Sequence, residues 1–199
     1  MPLALRDLPP EYEFLQSLDL SQEPRLLLIL NLIGLVLFVL FGWVFLQITL
    51  ALRSDLVSLT GPLSFVPLLV GLLVSYVGVL VLHELVHGLF FWFVTQHRPI
   101  FGFKGLYAYA AAPEWYIPKD VFLVIGLAPL VLISLVGVAL IPFVPLWSVP
   151  LLLFALTANA SGAIGDIYTV YYLLRLSSAT LVQDRGDNFL VFAKVGNKE

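Results

Sequence analysis

One apolar stretch of this chain holds three ionisable side chains within five residues, His83, Glu84 and His87, and that placement limits the fold more than any other feature. The runs 26–52, 63–96, 120–141 and 150–174 are long and almost free of charge. Each matches the roughly 20 residues needed to cross the hydrocarbon core of a bilayer as a helix. Of the 199 residues, 60% are hydrophobic and 12% charged, against roughly 45–50% and 25% in soluble domains. The spans leave no room for a separate soluble domain. The chain is therefore predicted to be an all-α polytopic membrane protein, with about four transmembrane helices and one or two small cytoplasmic-side β-hairpins.

Composition excludes several function classes. There is no cysteine, so neither a disulfide framework nor a thiolate metal site can form, and a transition metal must be held by His, Asp or Glu. The net charge is -3 and the ten Lys and Arg residues are scattered, which argues against a nucleic-acid-binding surface.

Residues 1–25 read as an acidic N-terminal segment, with Phe14, Leu15, Leu18 and Leu20 available for shallow membrane contact. A secretory signal is not expected, because the first apolar run is long, follows Arg25 and lacks a small-residue cleavage pattern. The membrane core spans 26–175, and 176–199 form a tail. Ile100 to Phe103 and Leu106 to Ala112 flank the turn-like pair Lys104-Gly105 and predict one hairpin. Thr180 to Gln183 and Phe189 to Lys194 flank Asp184-Arg185-Gly186-Asp187 and predict a second. With four spans, nine of the ten Lys and Arg residues share one side and only Arg53 lies opposite. By the positive-inside rule, both termini are expected to be cytoplasmic.

The second span spells His83-Glu84-Leu85-Val86-His87-Gly88, an H-E-x-x-H motif. Residues four apart on a helix differ by about 40° in direction, so both imidazoles project from one face, with Glu84 on the same side. Two imidazoles on one helix suit Zn2+, whose catalytic sites use three protein ligands and keep a position for water. Chance would produce the motif on the order of once per thousand such chains. A charge at the bilayer centre costs about 2.5–3.5 kcal/mol on insertion scales, so a compensating partner is needed. The alternative is a buried His pair that links neighbouring helices by hydrogen bonds.

Asp166 is the best candidate for the third ligand. It is the only other charge in the interior of the spans, and its depth matches that of His83 at about 1.5 Å per residue. Glu114 and His97, in or beside the loop, are competing ligands. Asn159, seven residues before Asp166, is expected to share the metal-facing side, either contacting substrate or an oxyanion or linking two helices. The small residues from Asn159 to Gly165 allow close helix packing, with Ser161 and Gly165 pressed against Gly88.

HELVHG in one span, followed by an Asn and an Asp seven residues later in a final span, resembles the site-2 protease class of intramembrane zinc metalloproteases. The chain is also similar to a prokaryotic membrane family described as zincin peptidases. That similarity rests on HELVHGLFF, the FGFKG to AAPEW loop, LAPL in the third span and NASGAIGD. The chain lacks the site-2 prolines after the Asn and the glycine after the Asp. The resemblance implies one Zn2+ per chain on His83, His87 and Asp166, with Glu84 as general base. It implies peptide-bond hydrolysis in a membrane protein or peptide substrate, and residence in a prokaryotic cytoplasmic membrane. Two other readings are a catalytically silent zinc-binding scaffold and, more weakly, a small transporter, for which neither inverted repeats nor several broken helices are evident.

Overall fold

The computed structural model describes residues 3–19, 22–58, 65–104, 107–186 and 188–196. Among the described residues, four segments are long and apolar enough to cross a membrane: Pro24–Leu52, Phe65–Thr95, Lys119–Leu140 and Leu146–Leu174. The predicted spans fall on these segments, their ends differing by four residues at most. The expected start of the second span at Leu63, and Leu20, Gly105, Leu106 and Asp187 of the other readings, lie outside the described residues.

In chain order the elements are β1 (Tyr12–Leu18), α1 (Pro24–Leu52), α2 (Phe65–Thr95), β2 (Ile100–Lys104), β3 (Tyr107–Ala111), β4 (Ile117–Pro118), α3 (Lys119–Leu140), α4 (Val149–Gly162), α5 (Ile164–Leu174), β5 (Thr180–Asp184) and β6 (Phe189–Lys194). The fold is mostly helical, as expected. The strands go further than two hairpins, since β2 and β3 pair antiparallel while the others form a four-stranded sheet in the order β1-β6-β5-β4. The N-terminal segment, read as a surface-seeking stretch, instead supplies β1, with Tyr12 opposite Lys194 and Leu18 opposite Phe189. The fourth span is two helices, α4 and α5, broken at Ala163.

Packing divides the chain into two units that cut across its helices. Unit 1 is Met1–Leu30, Glu84–Ala128 and Gly165–Glu199, and unit 2 is Asn31–His83 and Pro129–Ile164. Unit 1 is built like a water-soluble core. Phe91, Ile117, Ile125, Leu173, Val182 and Val191 are all essentially inaccessible and form one cluster. Strands β5 and β6 are mostly buried along their length, the polar Thr180 and Gln183 included. Lys119, at the junction of β4 and α3, donates from Nζ to the Leu176 carbonyl just past α5 at 2.7 Å.

Unit 2 packs by glycine. α4 is approached by α1 through Gly34 and Gly42, by α2 through Gly71 and by α3 through Gly137; added Cβ atoms would meet the Ser161 carbonyl oxygen, Thr157, Leu151 and Leu156 respectively. Without a hydrophobic drive between helices in lipid, close van der Waals contact at small residues is what joins them. Arg53 caps the end of α3, donating from Nη1 to the carbonyls of Ile141 at 3.1 Å and Val144 at 2.8 Å. Its Nε and Nη2 are held by Asp55. The Gly88 expectation is not met, because Phe101 and Pro99 cover Gly88 while nothing lies within 4 Å of a Cβ on Gly165.

Gly137→Leu should destabilise the protein by about 1–3 kcal/mol, the usual cost of overpacking, and lower its melting temperature in detergent. Gly78→Ala, where an added Cβ meets nothing within 4 Å, should leave the melting temperature unchanged or raise it slightly. Equal effects of the two substitutions would contradict this account of unit 2.

Candidate metal centre

The two motif histidines lie one turn apart on the continuous helix α2. His83, His87 and Asp166 are each partly buried and each offers one ligand atom, and these atoms all lie within 4.8 Å of one another. They are the three residues expected from the sequence. Glu114 lies 3.5 Å from exposed Arg6 and His97 stacks against Trp115 at 4.9 Å between ring centres, so neither joins the group.

Within unit 1, His87 Nε2 lies 3.5 Å from Asp166 Oδ1. Its other nitrogen, Nδ1, is 3.1 Å from the carbonyl oxygen of Ile125. A carbonyl only accepts, so Nδ1 carries the hydrogen and Nε2 carries the lone pair. Asp166 stands in the first turn of α5. The break at Ala163 therefore places the carboxylate at a helix N-terminus, where the backbone dipole favours negative charge. An unbroken fourth helix would put Asp166 mid-helix without that support.

Within unit 2, the same logic holds for His83. Asn159 Nδ2 donates to the Pro129 carbonyl at 3.4 Å, which turns the amide oxygen towards His83. Asn159 Oδ1 is 3.0 Å from His83 Nδ1. His83 is thus also an Nδ1–H tautomer with its lone pair on Nε2. Ligating histidines commonly donate their second nitrogen to a carbonyl or carboxylate in this manner, which fixes the ring and raises its basicity. Of the two roles open to Asn159, this geometry supplies the link between helices, with His83 at one end.

The donor set fits zinc: two imidazole nitrogens presented by fixed tautomers and one carboxylate oxygen. Glu84 follows His83 on α2 and is partly accessible. Beside the motif, Gly88 lets the Phe101 ring of β2 lie against α2, because a Cβ there would collide with that ring.

Sequence reasoning missed Asp184. It closes β5, accepts a hydrogen bond from the Gly186 N–H at 2.7 Å and lies within electrostatic reach of His87, Glu84 and Asp166. Burial pushes its carboxyl up to about 7, with Glu84 and Asp166 adding to the rise and the Gly186 N–H and His87 opposing it. The tight turn that holds it requires Gly186, whose φ is +93° and which packs against Tyr109. The Asp-Arg-Gly-Asp run had signalled only a turn.

The raised carboxyl gives a pH dependence of defined sign. In the metal-free protein its stabilising contribution is present below the ordinary carboxylate range and is lost as pH rises through about 7. Melting temperatures of the metal-free wild type should therefore fall between roughly pH 4 and 7, and less steeply for Asp184→Asn. Matching slopes would contradict the assignment.

Comparison with curated proteins and with solved structures gave no match. A family profile described as "Putative zincin peptidase" matches residues 76–181, a stretch that contains both motif histidines, Glu84, Asn159 and Asp166. Because that match covers more than half of the chain and encloses the whole candidate centre, the chain belongs to this family.

Proposed function

We propose that the protein is an intramembrane zinc endopeptidase of the site-2 type, holding one Zn2+ on His83, His87 and Asp166. The observation that carries this reading is the gathering of those three side chains on segments apolar enough to cross a membrane, with both imidazoles committed through Nδ1. Zinc, when bound, supplies a Lewis acid that polarises a carbonyl and makes water a nucleophile near neutral pH.

The chain's own residues supply the remaining chemistry. Glu84 accepts the proton of the attacking water at its carboxylate and delivers it to the leaving amine nitrogen, acting first as base and then as acid. Asn159 and the Ile125 carbonyl hold the two imidazoles in register for the metal. The substrate is a membrane protein or peptide. A peptide bond inside a helix is shielded, so the cleaved segment must be extended, and an edge of the β2–β3 sheet is suited to bind it as an added strand. Two observations support that role: among the described residues the sheet contains these two strands alone, and Phe101 of β2 lies against Gly88, the residue after His87. From the distribution of Lys and Arg, both termini face the cytoplasm of a prokaryotic cell.

Glu84→Gln should keep one zinc per chain while cleavage of a transmembrane reporter by the purified protein falls by about 10²–10⁴-fold, the usual contribution of a general acid–base group. Retained cleavage would remove Glu84 from the mechanism. Zinc binding by a wild type that cleaves nothing would favour the scaffold reading instead.

Asp166→Asn should bring zinc well below one per chain by elemental analysis after dialysis. Undiminished zinc would exclude Asp166 as a ligand.

A further inference from the structure

Helix α3 carries a proline in its interior, Pro129. A proline has no N–H, and its ring crowds the carbonyl four residues earlier, turning that carbonyl out of the helical ladder. Four residues earlier is Ile125, which is 1% exposed. Its carbonyl has no donor from position 129, and in an apolar, buried setting an acceptor without a partner is costly. The partner it has is the His87 Nδ1–H, at 3.1 Å. The carbonyl of Pro129 itself receives Asn159 Nδ2, the contact that orients the amide towards His83.

We propose that Pro129 is a positioning residue for the metal centre: its missing N–H reserves the Ile125 carbonyl for His87 and so holds His87 in the Nδ1–H tautomer, with Nε2 as the ligand atom. With any other residue at 129, a backbone N–H would compete for the carbonyl and draw it back along the helix axis. The His87 ring would lose its fixed tautomer and orientation. The zinc consequence rests on the proposed metal centre; the tautomer consequence does not, because the Nδ1 contact exists without metal.

The test uses the full chain in detergent, labelled with ¹⁵N-histidine. The chain has three histidines, so His83→Asn and His97→Gln variants suffice to assign the imidazole signals. In the metal-free wild type, His87 should be the Nδ1–H tautomer. In Pro129→Ala, whose helix content is checked by circular dichroism, the signal should move to the Nε2–H form or to a mixture. Zinc titration of the same variant should show affinity reduced by about 10–100-fold, the range typical of losing a ligand's supporting hydrogen bond. A wild-type His87 in the Nε2–H form overturns the proposal, and that result is available even if Pro129→Ala does not fold. A Pro129→Ala protein that keeps the Nδ1–H tautomer and wild-type zinc affinity also overturns it. The expected tautomers in a protein that binds no zinc would support the inference while refuting the proposed function.

Discussion

Ionisable side chains inside apolar helices need compensation, and the rest of this structure is organised around that need. His83, Glu84, His87 and Asp166 are partly buried on segments whose other residues suit lipid. A helix in lipid must bond its own backbone completely, so an uninterrupted span has no donor or acceptor to offer a buried side chain. Each interruption in these spans occurs where such a group needs one. The break at Ala163 gives Asp166 a helix N-terminus, and Pro129 leaves the Ile125 carbonyl to His87. The helix irregularities and the candidate centre are thus one feature viewed from the backbone and from the side chains.

The two packing units contribute in different ways. Unit 2 holds helices together through glycines at 34, 42, 71 and 137 that let α4 lie close to its neighbours, and it carries His83 with Asn159. Unit 1 has a side-chain core covered by strands, and it carries Glu84, His87, Asp166 and the partly buried Asp184. The β2–β3 sheet, resting on Gly88 through Phe101, places a strand edge close to the motif in the same unit.

Much of this was legible in the sequence because hydropathy and a short motif are local signals. Four spans, both hairpins and the trio His83, His87 and Asp166 follow from runs of apolar residues and from the rarity of charge within them. What escaped depends on partners distant in sequence. β1 is mostly exposed along its length and is defined only by its pairing with β6. Asp184 looked like one carboxylate of a turn until folding set it near Glu84 and Asp166. Asn159 was noticed for its spacing, on the assumption of an unbroken helix; its contact with His83 survives although that helix is broken. Pro129 drew no reading of its own from the sequence, because the value of a missing N–H appears only once His87 is seen beside Ile125.

The central claim is that two imidazoles and one carboxylate of this chain hold a single zinc ion. Zinc K-edge X-ray absorption on the purified, zinc-loaded protein tests it most directly. The expected spectrum has a first shell of nitrogen and oxygen at about 2.0–2.2 Å, with the outer-shell scattering of two imidazole rings. A shell with one imidazole or none, or with no stoichiometric zinc to observe, would contradict the account.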